Sequence, residues 1–333
     1  MKRGAGAIAR PSIFFLSRPA GFDKNKRGCF DLKRSRDLRK GPIRRAWWLF
    51  ILPMMAAFAI GFVWPFIQGI YLSFCTFVTT SDAKINGIMN DNSFFHNYIK
   101  AFQDPTFVRA FWYSALFAIV SLVIINVLAF TLAYLLTQKL KGTNIFRTVF
   151  FMPNLIGGIV LGYIWSMIFD GILYFYGKTL VTEPVWGFWG LIIVVAWQQI
   201  GYMMIIYIAG LQAVPEDMLE AAKIDGANKW QTLWRVTIPN VMPSITICTF
   251  LTLTNGFKLF DQNLALTNGL PKPFVNGVPV GQTEMIALNI YNTFYVGSTS
   301  RGVAQAKAVV FFILVAALGL LQLAATRKKE VQQ

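Results

Sequence analysis

Pro215-Glu-Asp-Met-Leu-Glu220-Ala-Ala-Lys-Ile-Asp225-Gly-Ala-Asn-Lys-Trp230-Gln-Thr-Leu-Trp-Arg235-Val-Thr-Ile-Pro239 is a polar, acid-led stretch between two long apolar runs. Phe188 to Leu211 precedes it and Val241 to about Phe260 follows it. A helix across ~30 Å of hydrocarbon needs about 20 apolar residues, so both neighbours are long enough to span a membrane. The stretch between them reads as a helical connection that leaves the bilayer. That reading makes the chain an all-α membrane protein.

Its internal punctuation is physical. Pro215 ends the preceding span. Glu216 and Asp217 then fall in a first helical turn, where negative charge complements the helix dipole. Met218, Leu219, Ala221 and Ala222 supply a small apolar face, and Gly226 ends the helix. A second short helix is expected to carry Trp230, Leu233 and Trp234 on its apolar face, with Pro239 redirecting the chain into the next span. Ala221, Ala222 and Ala227 are small enough to let another surface approach the backbone, and Glu220 and Asp225 offer carboxylates to basic groups. Helices that merely lie on a bilayer are rich in Lys, Arg and bulky apolar residues. An acid-led, alanine-rich helix fits docking into a protein groove better.

Working outward, the composition agrees. The 333 residues are 55% hydrophobic and 14% charged, with mean hydropathy +0.51. Soluble domains carry about 25% charged residues. Six segments have spanning length: Trp47 to about Phe77 (interrupted by Pro53 and Pro65), Ala110–Leu136, Ile145–Phe169, Phe188–Leu211, Val241 to about Phe260, and Val303–Ala325. Trp47, Trp48, Trp112, Trp186 and Trp189 lie near segment ends, where interfacial aromatics belong. The net charge of +16 is uneven: residues 1–45 hold 14 Lys/Arg and 3 Asp, or +11. A basic tail directly before a span reads as a cytoplasmic, lipid-attracted orientation signal, not as a nucleic-acid arm. Lys139, Lys141 and Arg147, then Lys223, Lys229 and Arg235, then Arg327, Lys328 and Lys329 put the same sign on the same side. Six spans with both termini cytoplasmic follow. The chain divides into a basic tail (1–45), a transmembrane domain (46–326) with the docking helices at about 216–235, and a short C-terminal tail (327–333).

Phe94 to Phe102 has helical apolar spacing and is expected as a short external or interfacial helix in the connection between the first two spans. Gly269, Pro271, Pro273, Gly277, Pro279 and Gly281 predict an irregular loop over about 263–302. Cys29, Cys75 and Cys248 form neither a disulfide framework nor a metal pattern. With His96 the single histidine, and placed in a loop, His-based catalysis and metal binding have no basis. Ile13 to Leu16 is too short for the apolar region of a signal peptide.

Glu220-Ala221-Ala222, then Gly226, then Val236-x-Ile238-Pro239 resembles the EAA motif of binding-protein-dependent ABC importer permeases, with Asp225-Gly226-Ala227 strengthening the match. Val236 and Ile238 stand where that motif has Ile and Leu. Phe260-Asp261, Leu266-Thr267-Asn268-Gly269 and Ala287-Leu-Asn-Ile-Tyr291 resemble the sugar-permease branch, specifically the maltose-type first permease subunit. The resemblance covers residues 46–326. It implies the type I importer fold of six spans with a cytoplasmic coupling helix, in a multi-pass protein of a bacterial inner or plasma membrane. The helix would sit in a cleft of an ATPase, with Glu220 meeting a basic residue there. The implied partners are a second permease in a heterodimer, two copies of the ABC ATPase, an external or periplasmic solute-binding protein, membrane lipid and a carbohydrate, with oligosaccharides favoured. No cofactor is implied in this chain, since ATP and Mg would be held by the ATPase.

The chain lacks a phosphate loop of its own. Its nearest approach, Gly171 to Gly177-Lys178-Thr179, has five residues between the glycines where the motif needs four. Energy then comes from a partner or from an ion gradient, and no catalytic residue is assigned. Polar groups inside spans are costly and often functional. Gln198, Gln199 and Tyr202 with Trp197 suit hydrogen bonds to sugar hydroxyls and stacking on a ring. Asn255, Lys258 and Asp261 lie on roughly one helix face. The resemblance implies that positions Asn154, Gly158, Gln198, Gln199, Tyr202, Asn255 and Lys258 belong to the substrate site. Alternatives stay open: a Gln pair that only holds helix to helix, an ion pair of Lys258 with Asp261, and helix packing at Gly158 and Gly162. Lys307 is expected to snorkel or line the outer cavity. The rival function is an ion-coupled secondary transporter using Lys258 and Asp261.

Overall fold

A 33-residue helix, α4 (Pro105–Thr137), forms the spine of the protein. At 1.5 Å per residue it is about 50 Å long, well beyond a ~30 Å hydrocarbon layer. Asp104 starts it: its carboxylate accepts from the Thr106 amide at 2.9 Å, and Pro105 occupies the first turn. Phe107, Ala110, Phe117, Ser121, Ile125, Ala129 and Ala133 face inward, while Trp112, Leu116, Ile119, Val123 and Val127 face outward. A helix apolar on both faces is stable only where both faces meet apolar matter, which is the condition of a membrane span.

The computed structural model describes residues 42–77, 82–86, 93–138, 141–275, 277–296 and 300–327. The expected basic tail (1–45) and C-terminal tail (327–333) lie outside these apart from residues 42–45 and 327. Residues up to Pro65 and those from Phe66 form two compact units. In the first, α1 (Pro42–Phe58) passes through a π-helical stretch, Ala59–Val63, to Trp64 and Pro65, the first residues of α2 (Trp64–Ser73). In the second, a two-stranded ribbon pairs β1 (Cys75–Phe77) with β2 (Ala83–Ile85), and α3 (His96–Gln103) precedes α4. α3 bears out the short helix expected in this connection. It also corrects the placing of His96, which is the first helical residue and not in a loop.

After α4 come α5 (Thr143–Phe151), α6 (Gly158–Tyr174), α7 (Pro184–Gln212), α8 (Glu216–Ile224), α9 (Lys229–Thr232) and α10 (Ile238–Phe257). Then follow α11 (Asp261–Leu266), a hairpin of β3 (Phe274–Val275) and β4 (Val278–Pro279), α12 (Ile286–Val296) and α13 (Arg301–Arg327). α4, α7 and α10 pack side by side, with Phe117, Ile125, Leu191, Met203, Tyr207 and Cys248 in the core. Five described helices are long and apolar enough to span, or six if one bent pair counts as a single span.

Three expectations need correction. The third span is not continuous: Thr143–Leu155 and Gly158–Tyr174 meet at 99°. Pro153 sits in a 3-10 turn, Met152–Leu155, and Ile156 and Gly157 are extended, so the helical hydrogen-bond ladder stops there. The fifth span starts earlier than Val241. α9 continues through a second π-helical stretch, Leu233–Thr237, straight into α10, giving one helical run from Lys229 to Phe257. Pro239 does not turn the chain. Both π-helical stretches end two residues before a proline, Pro65 and Pro239. A proline has no N–H, and its ring crowds the carbonyl four residues back. One widened turn relieves that crowding and the helix goes on. Finally, the connection over 263–302 is not an irregular loop, since it holds most of α11, the hairpin and α12.

Candidate functional site

The quoted stretch folds as an exposed helical elbow. α8 has acidic Glu216 and Asp217 in its first turn and Lys223 in its last, both matched to the helix dipole. Gly226 takes φ +75°. Around it the Ala227 amide donates to the Ala222 carbonyl at 3.0 Å and the Gly226 amide to Lys223 at 3.1 Å. These two bonds make a Schellman motif, which closes the helix end. The next helix starts without slack. Asn228 Oδ1 accepts from the Gln231 amide at 2.8 Å, and Gln231 Oε1 accepts from the Asn228 amide at 2.9 Å, a reciprocal capping box. Two helices are thus joined by a hydrogen-bonded turn, and the second is continuous with a membrane span.

Glu220, Ala221, Asp225 and Gly226 are exposed, Ala227 is half-buried and Ala222 is buried. The inward face is Leu219 with Ala222. Met218 and Ala221, expected on that face, point outward. Behind the elbow a cleft of about 490 Å³ separates it from the span ends, lined in part by Tyr134, Gln138, Leu211, Leu219 and Leu233. The exposed face therefore carries Ala221, Gly226 and the Glu220 and Asp225 carboxylates, with Met218 (44% exposed) and Ile224 (85% exposed) as its bulky apolar side chains.

The second polar feature lies at the broken third span. Its interruption frees backbone groups in an apolar stretch, where each needs a partner. Gln198 of α7 supplies one: its Nε2 donates to the Ile156 carbonyl at 3.0 Å. Its Oε1 accepts from Gln262 Nε2 of α11 at 2.6 Å. Gly158 and Gly162 give α6 its close approach to α11; a Cβ on Gly158 would lie 2.7 Å from that of Asp261, and one on Gly162 2.7 Å from that of Ala265. Of the seven expected substrate positions, the structure thus joins Gln198 and Gly158 through Gln262. Gln199, the next residue, has a buried amide oxygen that meets no donor among the described residues. Tyr202, one turn on, is 37% exposed. Asn154 and Asn255 are half-buried, and Lys258 is exposed beside Phe250, Thr254 and the outer face of α13.

The ion pairs among the described residues are Lys178–Glu183 at 2.9 Å and Lys307–Asp104 at 2.6 Å. Lys258 and Asp261 do not pair: α10 ends at Phe257 and α11 begins at Asp261, so no common helix face joins them. Lys307 does not snorkel. It is fully buried, and its ammonium also donates to Asn289 Oδ1 at 3.0 Å and Thr293 Oγ1 at 2.8 Å. One lysine on α13 so ties the start of α4 to α12. Burial alone would raise the Asp104 carboxyl, but the Lys307 ammonium and the Thr106 hydrogen bonds outweigh it and hold the group below the usual carboxylate range. Asn263 adds a second tie, donating to the Thr283 carbonyl at 2.7 Å and accepting from the Met285 amide at 3.0 Å. Sequence reasoning passed over Gln262, Asn263 and Asp104. Only the last had a local signal, the Asp-Pro pair that opens a helix.

The comparisons with known proteins agree with this geometry. The family model described as "Binding-protein-dependent transport system inner membrane component" matches residues 141–330. A relative from Thermoanaerobacterium thermosulfurigenes, named "Probable starch degradation products transport system permease protein AmyD", is 42% identical over 86% of this chain and 95% of its own. The "Multiple sugar-binding transport system permease protein MsmF" of Streptococcus mutans is 30% identical over 85% of this chain and 96% of its own. In a solved bacterial ABC transporter "involved in the import of the acidic polysaccharide alginate", one chain superposes with TM-score 0.69 at 19% identity, over 86% of this chain and 97% of that one. That likeness shows the fold, that of an ABC importer permease of type I. With the unpaired Lys258 and Asp261, the family match sets aside the ion-coupled alternative. The chain belongs to the binding-protein-dependent transport system inner membrane component family, as a multi-pass permease subunit and not an enzyme.

Proposed function

We propose that the chain forms one transmembrane half of an ATP-driven importer for a carbohydrate, with oligosaccharides the favoured class. The observation that carries this reading is the exposed elbow, locked at Gly226 and Asn228 and continuous through Leu233–Thr237 with a span. A helix so fixed transmits a push to the membrane without bending at its base. In this reading the elbow and both termini are cytoplasmic. Glu220, Ala221, Ala222, Asp225, Gly226 and Ala227 dock in a cleft of the ATPase, which binds ATP and Mg. A second permease completes a heterodimer with two ATPase copies, and an external solute-binding protein delivers the sugar. ATP-driven closure of the ATPases moves the elbows and switches the pathway, which needs contacts that differ between two states.

The relatives' printed names support the sugar class. The substrate face comprises Asn154, Gln199, Tyr202, Asn255 and Lys258, while Gln198 and Gly158 shape it from behind through Gln262. The unmatched amide oxygen of Gln199 beside a part-exposed phenol supports this placement. The test is purification of the complex with identification of its partners, followed by ATPase stimulation across a panel of binding-protein-delivered sugars. An ATPase and a second permease should co-purify, and oligosaccharides should stimulate hydrolysis. Uptake into vesicles on a proton or sodium gradient, with no ATPase present, would overturn the reading.

A further inference from the structure

A groove of about 710 Å³ runs along the outer face of the bundle between the second half of α4 and the run from α9 into α10. Val127, Phe130 and Tyr134 form one wall, and Leu233, Trp234 and Ile245 the other. Its length is telling. From Asn126 to Gln138, α4 rises about 18 Å at 1.5 Å per residue. That is close to half of a ~30 Å hydrocarbon layer, the depth of one leaflet.

The deep end offers nothing to a polar ligand. Tyr207 donates to Asn126 Oδ1 at 2.7 Å, and Asn126 Nδ2 donates to the Leu122 carbonyl at 2.8 Å and to Thr252 Oγ1 at 3.2 Å. Those polar groups are spent on one another. The other end, beside the elbow, is different. Lys229 and Gln138 line the groove there and are both exposed. Lys229 has no ion-pair partner among the described residues. Trp230 and Trp234 stand edge to face at 5.6 Å and are 66% and 54% exposed. Indoles so placed mark the level of the lipid headgroups.

We propose that this groove binds one anionic phospholipid. An acyl chain lies along Val127, Phe130 and Trp234, and the phosphate meets the Lys229 ammonium and the Gln138 amide. Basic groups between spans at the headgroup level select acidic lipids by charge, and the groove's apolar length matches a chain of that leaflet. A helix of a partner protein seated here would have to bring its own acid to pair the buried Lys229 ammonium, whereas an anionic phospholipid carries that charge in its headgroup. The site adjoins the elbow, since Leu233 and Lys229 line both this groove and the cleft behind α8.

The test uses the assembled complex in nanodiscs of phosphatidylcholine doped with a phosphatidylglycerol carrying a photo-reactive acyl chain, with labelled residues mapped by mass spectrometry. Labelling at Val127, Phe130 and Trp234 should exceed several-fold that at Trp112 and Ile119 of α4, which are more exposed. Unlabelled phosphatidylglycerol should compete better than phosphatidylcholine. Lys229→Gln should erase that preference while leaving chain labelling in place. Thr131→Trp, an exposed change that fills the groove without touching the core, should abolish the excess labelling. Even labelling along α4, as from bulk lipid, would overturn the proposal. So would a photo-reactive residue at Val127 that captures a second permease and no lipid.

Discussion

Replacing Lys307 by methionine keeps the length of the side chain and removes its charge and three donors. Asp104 then loses its counter-charge, and Asn289 Oδ1 and Thr293 Oγ1 lose a donor. Breaking one partner out of a buried ion pair costs about 3–5 kcal/mol. The upper half of that range is expected, because Lys307 is fully buried and serves three acceptors. Asp104→Asn should cost at least as much, since it strands an ammonium in the core. The double variant Asp104→Asn with Lys307→Met should be milder than the sum of the two singles, because neither charge is then left alone. Acid should mimic the loss. The Asp104 carboxyl is held below its ordinary value, so its contribution is complete above about pH 3.9 and fades as pH falls through the lower folded value. The assay is thermal unfolding of the purified complex across pH, for wild type and the three variants. Strictly additive losses, or singles that unfold like wild type, would refute the reasoning that this pair ties α4, α12 and α13 together.

Other outcomes follow from close packing and from the elbow. A Cβ on Gly201 would fall on the Phe150 carbonyl, so Gly201→Ala should destabilise the junction of α5 with α7 by about 1–3 kcal/mol, read as a lowered unfolding temperature. Gly226→Ala meets no clash but forces a left-handed residue, at a cost of about 1–2 kcal/mol, and Gly226→Asn should recover part of it. Asn228→Ala breaks the capping box and should cost about 0.5–2 kcal/mol of local stability, seen as faster amide exchange over residues 226–232. Gln198→Leu leaves the Ile156 carbonyl and the Gln262 amide without their partner, at about 1–3 kcal/mol, and should loosen the broken span in the same exchange experiment.

Local chemistry made the spans and the elbow legible. Length and apolarity marked each long helix, Pro215 and Gly226 bounded α8, and the acid-led first turn set its direction. The bend at Ile156–Gly157 was hidden because the residues around it are as apolar as a continuous span, although Pro153 and Gly157-Gly158 were its visible trace. Pro239 misled for the opposite reason: a proline signals a break, but a widened helical turn absorbs it. The helices after α10 were masked by a density of Gly and Pro that belongs to the short connections between them. Lys307 could not be read at all, since Asp104 lies 203 residues away in the chain and only the fold brings the two together. Among the substrate positions, residue type was visible but direction was not. Gln198 and Gln199 are neighbours in sequence, yet one is spent on backbone and Gln262 while the other keeps a free acceptor.

The central claim is that α8 docks into an ATPase through Glu220. Its most direct measurement is sugar-stimulated ATP hydrolysis by the reconstituted complex carrying Glu220→Lys, together with the amount of ATPase retained on purification. The account predicts that this variant inserts and folds as wild type, since Glu220 is exposed, but loses stimulation and retains less ATPase. Full stimulation with full retention would contradict it.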